Sequence, residues 1–415
     1  MRHPARGYAV FGPGKTPRAV LVLIVAGLFA CRAASREKAS EPARAAAAPP
    51  GPVAGGALAR ASSFDLVATS EGAVLAWAPG TCAEGVQLQH LDVDGRVQHT
   101  LALNDAVCGP GVAGKLGEVV ELVAAAGGGR LGVAWLVQSR DGARVFGSHA
   151  GDAAESFAPV LPLGAADPGP LNGRGRLSLV ASESAQLRLS WHAPRAACAG
   201  QPESCAQLIT EPFPTRSDAA GRRTDTREIP RPCPRLVIGS VWTLGVWFDA
   251  FCALEGDAAT PISEVYAIRP EIFYAEALPT LQDCEPLGVS PSRGGALIWG
   301  RCADGLRAHA LAVEGRRRIL PNARRSVRCD AGRPVLQVAG RGGALNGEAF
   351  ELDAPRDRLE LWLPDELAAP GSRAVFTGRR LLVAEPGAGK LALRSHRCEG
   401  ASLVSEPSPS APARR

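Results

Sequence analysis

From about residue 62 to residue 403 the chain is a succession of short apolar or alternating runs broken by Gly, Pro, Asp and Asn. No stretch repeats its apolar residues at the helical interval, and the runs have strand length, which predicts an all-β domain. Single tryptophans recur at one place in this pattern: Trp77, Trp135, Trp191, Trp247 and Trp299, at intervals of 58, 56, 56 and 52 residues. Each ends an apolar run and follows another, as Phe64 to Ala68 precedes Val74 to Trp77. Two units without the Trp follow, around Val335 to Val338 and Leu381 to Val383. Units of this length hold several strands each and cannot bury both faces alone, so neighbours must stack. The expectation is a β-propeller of seven units beginning near residues 63, 119, 176, 235, 284, 325 and 371, or six if the last two are wrongly divided. A pair of β-sandwiches is the alternative, and it would not call for a recurring Trp.

One hairpin can be read in register. Asp94-Gly95 lies at the centre of the run from Val86 to Leu103, and a two-residue Asp-Gly loop is a strong hairpin signal. That loop pairs Val93 with Arg96, His90 with His99, Leu88 with Leu101 and Val86 with Leu103, and extended outwards it brings Cys82 almost opposite Cys108. Similar folding brings Cys284 to Cys302 around Ser292-Arg293-Gly294, and Cys233 to Cys252 around Trp242-Thr243. Cys198 and Cys205 can close a small loop. Cys329 and Cys398 remain, and would tie the last two units together. Spacing alone does not fix connectivity.

The flanks differ in composition. Residues 31–61 are rich in Ala, Pro and Gly and read as a linker, and residues 404–415 as a loose tail, because neither offers enough apolar surface to offset ordering. Ahead of them, Arg2, Arg6, Lys15 and Arg18 precede an uncharged run from Ala19 to Ala30. Twelve residues rise ~18 Å as a helix, short of the ~30 Å hydrocarbon core, so residues 1–30 read as a secretory signal. Leu28-Phe29-Ala30-Cys31 resembles a bacterial lipobox, with Phe29 bulkier than usual at its position. The resemblance implies cleavage before Cys31, lipid on its thiol, and attachment to a membrane of the cell envelope. Arg32 in place of an Asp after that cysteine favours the outer membrane by the same analogy. Of eleven cysteines, ten remain once Cys31 is set aside, an even number suited to disulfides in an oxidising compartment. The formal charge of +5 falls to +1 without the four basic residues before Cys31, which leaves no global field for nucleic acid.

Phe146-Gly147-Ser148-His149-Ala150-Gly151-Asp152 and the following residues to Phe157 resemble the Asp-box turn of sialidase-like propellers, with the Asp and Gly out of order and Phe157 in place of a Trp. Sialidase chemistry implies an arginine cluster and a tyrosine activated by a carboxylate. Tyr274 and Glu276 are two apart, as are Glu264 and Tyr266, so each pair would share a strand face; a buried Tyr beside a solvated Glu is the plainer account. His90, Asp92 and His99 would share a face of the hairpin and could hold Zn²⁺ or another transition metal, although that face also carries packing residues. No cofactor is implied. Arg316, Arg317, Arg318, Arg324, Arg325 and Arg328 lie in a stretch without an acid and could bind an anion, or form a solvated loop. No Walker A, HExxH, CxxC or GxSxG pattern occurs. The sequence therefore predicts a lipid-anchored, exported, non-catalytic module binding an envelope protein or glycan, with a glycan-active hydrolase as the alternative.

Overall fold

The computed structural model describes residues 57–58, 61, 63–103, 117–151, 156–166, 177–181, 186–194, 206–213, 225–228, 235–243, 246–254, 264–269, 274–277, 284–292, 295–302, 305–312, 317–320, 324–339, 349–351, 363–364, 367, 369, 371–387 and 390–406. Their regular structure is almost wholly β. Ala57–Leu58 form β1, inside the stretch expected to be linker. The first sheet then runs β2 (Ser63–Thr69), β3 (Gly72–Ala78), β4 (Val86–Asp92) and β5 (Val97–Leu103). The second follows as β6 (Glu118–Gly127), β7 (Arg130–Ser139), β8 (Gly142–Gly151) and β9 (Leu161–Ala166). The third holds β10 (Leu177–Ala181), β11 (Leu187–Pro194), β12 (Ala206–Phe213) and β13 (Asp225–Glu228). The fourth holds β14 (Arg235–Thr243), β15 (Val246–Leu254), β16 (Glu264–Arg269) and β17 (Tyr274–Ala277). The fifth is β18 (Glu285–Ser292), β19 (Gly295–Cys302), β20 (Gly305–Ala312) and β21 (Arg317–Leu320). Three strands make the sixth: β22 (Arg324–Asp330), β23 (Arg333–Ala339) and β24 (Ala349–Glu351). The last sheet contains β25 (Arg373–Phe376), β26 (Arg380–Pro386), β27 (Leu391–Glu399) and β28 (Ser402–Ser405), and β1 joins it on β27.

Every sheet is an antiparallel meander in which consecutive strands pair, β1 on β27 being the exception. The first strands of these sheets begin at residues 63, 118, 177, 235, 285, 324 and 373, each within two residues of the start expected. First strands pack on first strands: β2 on β6, β6 on β10, β10 on β14, β14 on β18, and β2 also on β25 of the last sheet.

The second strand explains why its sequence is continuously apolar rather than alternating. All seven residues of β3 are buried, because Val74, Ala76 and Ala78 face the second sheet while Ala73, Leu75 and Trp77 face the last. Full burial on both faces removes the polar side of the alternation. The tryptophans follow the same rule. Trp135 lies in the layer between the first and second sheets and Trp191 in the layer between the second and third, so each faces the preceding sheet. Trp191 also donates its indole N–H to the Ala165 carbonyl on β9, at 3.0 Å. A β-carbon at Gly164 would lie 3.0 Å from the Trp191 ring. A residue of one sheet thereby grips the outermost strand of the sheet before it.

The register of β4 with β5 is His90↔His99, Leu88↔Leu101 and Val86↔Leu103, as the alternation predicts. The loop itself differs. Leu91 pairs with Val97 across an irregularity, and the Asp92 N–H donates to the Arg96 carbonyl at 2.9 Å. Val93, Asp94 and Gly95 thus form a three-residue loop, and Val93 does not pair with Arg96. The cause is the Asp92 carboxylate, whose Oδ1 accepts from the Asp94 and Arg96 N–H groups at 2.9 and 2.8 Å. A side chain that satisfies turn donors in this way competes with the tighter ladder. Gly95 takes φ +76°, as the αL position of such a loop requires.

Two disulfides join described residues: Cys284–Cys302, across the hairpin with Ser292 opposite Gly295, and Cys329–Cys398, between the sixth and last sheets. Cys108, Cys198, Cys205 and Cys233 lie outside the described residues. Cys82 opens a short helical turn, Cys82–Glu84. Cys252 sits opposite Leu236, in a hairpin whose Thr243 pairs with Val246; the reversal therefore follows Thr243 instead of centring on Trp242-Thr243. Among the described residues no helix is long and apolar enough to cross a membrane.

Candidate functional site

The first strand of each sheet has one edge without a ladder partner, so its backbone N–H groups need acceptors. Side chains of the preceding sheet supply them. Ser63 Oγ accepts from the Leu122 N–H at 2.9 Å, and Glu121 Oε1 accepts from the Leu177 N–H at 3.2 Å. These bonds are equivalent by register, since Phe64, Leu122 and Leu177 each lie opposite their sheet's tryptophan. In the last sheet Arg373, opposite Ala384, stands where Asp65, opposite Ala76, stands in the first. A guanidinium accepts nothing, and there the backbone bond gives way to an ion pair: Arg373 Nε lies 3.2 Å from Asp65 Oδ1.

Asp65 is fully buried. Its Oδ1 also accepts from the Leu66 N–H at 3.0 Å, and its Oδ2 from the Ala124 N–H on β6 at 2.8 Å. One carboxylate therefore joins the last, first and second sheets. Nothing in an apolar run such as Phe64-Asp65-Leu66-Val67 marks that role except the presence of an acid where burial is expected.

The opposite end of this seam carries a second set of contacts. The Thr377 hydroxyl donates to the Val93 carbonyl at 2.6 Å. Arg380 Nε and Arg379 Nη1 lie 3.6 and 3.9 Å from the Asp94 carboxylate, and Arg380 also pairs with Glu406. Arg397 reaches Glu406 at 3.2 Å. Between the two ends, Phe64, Leu66, Leu75 and Trp77 pack on Val375, Leu382, Leu391 and Leu393.

The residues expected from sequence to carry chemistry are placed as follows. His90 and His99 do come together: their rings stack with centroids 4.1 Å apart and planes 10° from parallel. Lone pairs of imidazole nitrogens lie in the ring plane, so parallel rings aim them along parallel lines and not at one point. Asp92, the third member, is occupied by the turn, and its Oδ2 accepts from Gln98 Nε2 at 3.1 Å. Among the described residues no three His, Cys, Asp or Glu side chains are grouped to hold a metal ion.

Tyr274 and Glu276 lie on β17, the outermost strand of the fourth sheet, opposite Arg269 and Ala267. Glu264 and Tyr266 lie one strand inward, on β16. The arginine stretch is divided: Arg317 and Arg318 fall on β21, the outermost strand of the fifth sheet, and Arg324, Arg325 and Arg328 on β22, the first strand of the sixth. Arg316 and Cys31 lie outside the described residues.

The Asp-box-like stretch spans the connection from β8 to β9. Ser148 Oγ donates to the Ala158 carbonyl at 2.5 Å, the Ala158 N–H donates to the His149 carbonyl at 2.8 Å, and Phe157 packs on the core. Asp152 is outside the described residues. Burial pushes the pKa of His149 down, helped by Arg130, and burial with Arg394 does the same to His396.

No protein-family model and no curated protein sequence matches the chain. Solved structures do show a distant likeness. One of two prolyl endopeptidases aligns at 12% identity and TM-score 0.43 over 84% of this chain and 50% of its own. The Pyrococcus horikoshii acylaminoacyl peptidase aligns at 10% and 0.38, over 82% and 50%. A Trypanosoma rangeli sialidase, solved with sialic acid, aligns at 8% and 0.28, over 76% and 55%. The chain spans about half the length of each of these enzymes. What stands is an almost all-β chain of several four-stranded antiparallel sheets, weakly similar to propeller-like folds.

Proposed function

We propose that this protein is a lipid-anchored module of the cell envelope, built as a seven-bladed β-propeller that binds a protein or glycan without turning it over. The seam supports the ring. Contacts between the last sheet and the first, bolted by Asp65–Arg373 and by Thr377 to Val93, are those a closed array requires. Closure also removes the exposed first-strand edges that an open stack would leave at its two ends.

The single observation that carries the non-catalytic reading is the use made of the acids along the sheet-to-sheet contacts. Asp65 and Glu121 hold backbone N–H groups of the next sheet, so these carboxylates are spent on architecture. A retaining or inverting hydrolase needs two carboxyls, or a tyrosine with one, converging in a pocket. Tyr274 and Glu276 stand on an outermost strand instead, away from the strands through which the sheets pack together. The envelope location rests on the lipobox-like Leu28 to Cys31.

Two experiments test this. Metabolic labelling with a fatty acid should mark the wild-type chain and not Cys31→Ser; label retained in the variant refutes the anchor. Fluorogenic glycosides incubated with the purified chain should show no turnover, while a glycan array or envelope fractions show saturable binding. Turnover abolished by Tyr274→Phe or Glu276→Gln would establish the hydrolase in place of the binder.

A further inference from the structure

The outermost strand of a sheet has one edge of backbone N–H and C=O groups with which any extended chain can pair, and proteins guard such edges with short strands, charges, Pro or bulges. Most outermost strands here are guarded. β9 carries Pro162 and Gly164, and three of the four residues of β13 are charged. β17, β21 and β24 have three or four residues each, with Glu276, the pair Arg317 and Arg318, and Glu351 among them. In the last sheet β28 and β1 share the outer edge of β27, and β28 has four residues. β5 has none of these devices. Val97–Leu103 is seven residues long and contains no Asp, Glu, Lys, Arg, Pro or Gly, and β4 is its one ladder partner among the described residues.

β5 also leaves apolar surface open. Its residues alternate between half-buried and exposed, none being fully buried, whereas five of the seven residues of β4 are buried. Val97, Leu101 and Leu103 fall on the half-buried row, and the two leucines pack only in part on the layer shared with the second sheet. This pattern selects the occupant. Directly opposite residues of an antiparallel pair share a face, and a slip of one residue sets apolar against polar. When β5 pairs with its own copy, the register that keeps the rows matched and uses the whole strand sets Thr100 opposite Thr100. It also sets Gln98 opposite Ala102 and Val97 opposite Leu103. No carboxylate, ammonium or guanidinium meets its like in that register, because the strand carries none. The contact is isologous and closes at two copies, since each uses its only free β5 edge.

We propose that the free edge of β5 is a docking surface for a second copy of this chain, which joins two first sheets into one continuous antiparallel sheet about a two-fold axis at Thr100. The contact depends neither on lipid at Cys31 nor on glycan binding.

The test uses sedimentation velocity on the full chain carrying Cys31→Ser, over a range of protein concentrations, and a monomer–dimer equilibrium is expected. Thr100→Lys and Thr100→Asp each bring like charges together on the two-fold axis and should weaken the dimer about fivefold or more. An equal mixture of the two variants sets Lys opposite Asp and should recover the dimer. That recovery is specific to a register centred on Thr100. Thr100 is exposed, so both variants should keep the fold, which far-UV circular dichroism reads; Thr100→Val, uncharged and of similar shape, should dimerise as wild type does. Three results overturn the proposal. A chain that stays monomeric to its solubility limit leaves the edge to an extended peptide of another protein. A dimer that both charged variants form as tightly as wild type lies on another surface. A mixture no tighter than either variant alone places the axis elsewhere. Lipidation and glycan binding are read separately, so their failure would leave this outcome intact.

Discussion

Replacing Asp65 by Asn isolates the seam. The amide has nearly the shape of the carboxylate but only one acceptor oxygen, whereas Asp65 serves the Leu66 and Ala124 N–H groups and the Arg373 guanidinium. If the amide oxygen keeps Ala124, its NH₂ faces a cation; if it turns to Arg373, the NH₂ faces the Ala124 N–H. Either way the Arg373 charge loses its counterion. Removing one member of a buried pair costs about 3–5 kcal/mol, and since the Arg373 side chain keeps 14% of its exposure, water screens part of this and the lower end, about 3 kcal/mol, is expected. For a folded domain of this size that is a fall in Tm of about 4 °C. Urea and thermal unfolding of the Cys31→Ser chain measure it. Arg373→Met and the double variant complete a cycle in which the coupling should exceed about 1 kcal/mol. An Asp65→Asn chain as stable as wild type, or additive effects in the cycle, would refute the reasoning that this pair fastens the last sheet to the first.

Two glycines make a matched pair for the same seam. Gly95 and Gly332 both have φ +76°, but a β-carbon at Gly95 would meet Leu382 Cδ2 at 2.9 Å and at Gly332 nothing within 4 Å. Gly332→Ala should cost only the αL strain, about 1 kcal/mol; Gly95→Ala should cost more in urea unfolding, and equal costs would show that Leu382 yields freely. The depressed His396 pKa gives a pH dependence. Below the ordinary value of 6.5 the unfolded chain takes up a proton that folded His396 resists, so stability should fall as pH drops below that value until folded His396 also protonates. His396→Gln should flatten the fall seen in unfolding free energy between pH 7 and pH 5, and an unchanged slope assigns it to other groups.

The repeat was legible because burial on both faces leaves a signature: a short apolar run ending in Trp at a steady interval. Register was legible where alternation governs, as in Leu88↔Leu101. It failed at the loop, where the Asp92 side chain captures two backbone donors, a choice that periodicity does not register. β1 was hidden because Ala57-Leu58 sits in Ala- and Gly-rich sequence, and its strand character comes from the edge that receives it. Asp65–Arg373 joins opposite ends of the chain, so no local pattern announces it. The histidine stack followed from register, whereas the parallel ring planes that disfavour a metal depend on side-chain packing.

The seam also bears on the order in which the molecule assembles. Every other contact between sheets described for the first four joins neighbours in sequence, so those layers form at modest loop-closing cost. Bringing β25 onto β2 closes a segment of about 300 residues, at about (3/2)RT ln n, or ~5 kcal/mol of chain entropy. We expect seam contacts to be absent from the folding transition state, so Arg373→Met should quicken unfolding and leave the refolding rate almost unchanged; a slowed refolding limb would place the seam in the nucleus. A protein arranged in this way loses its structure from its first and last sheets inward.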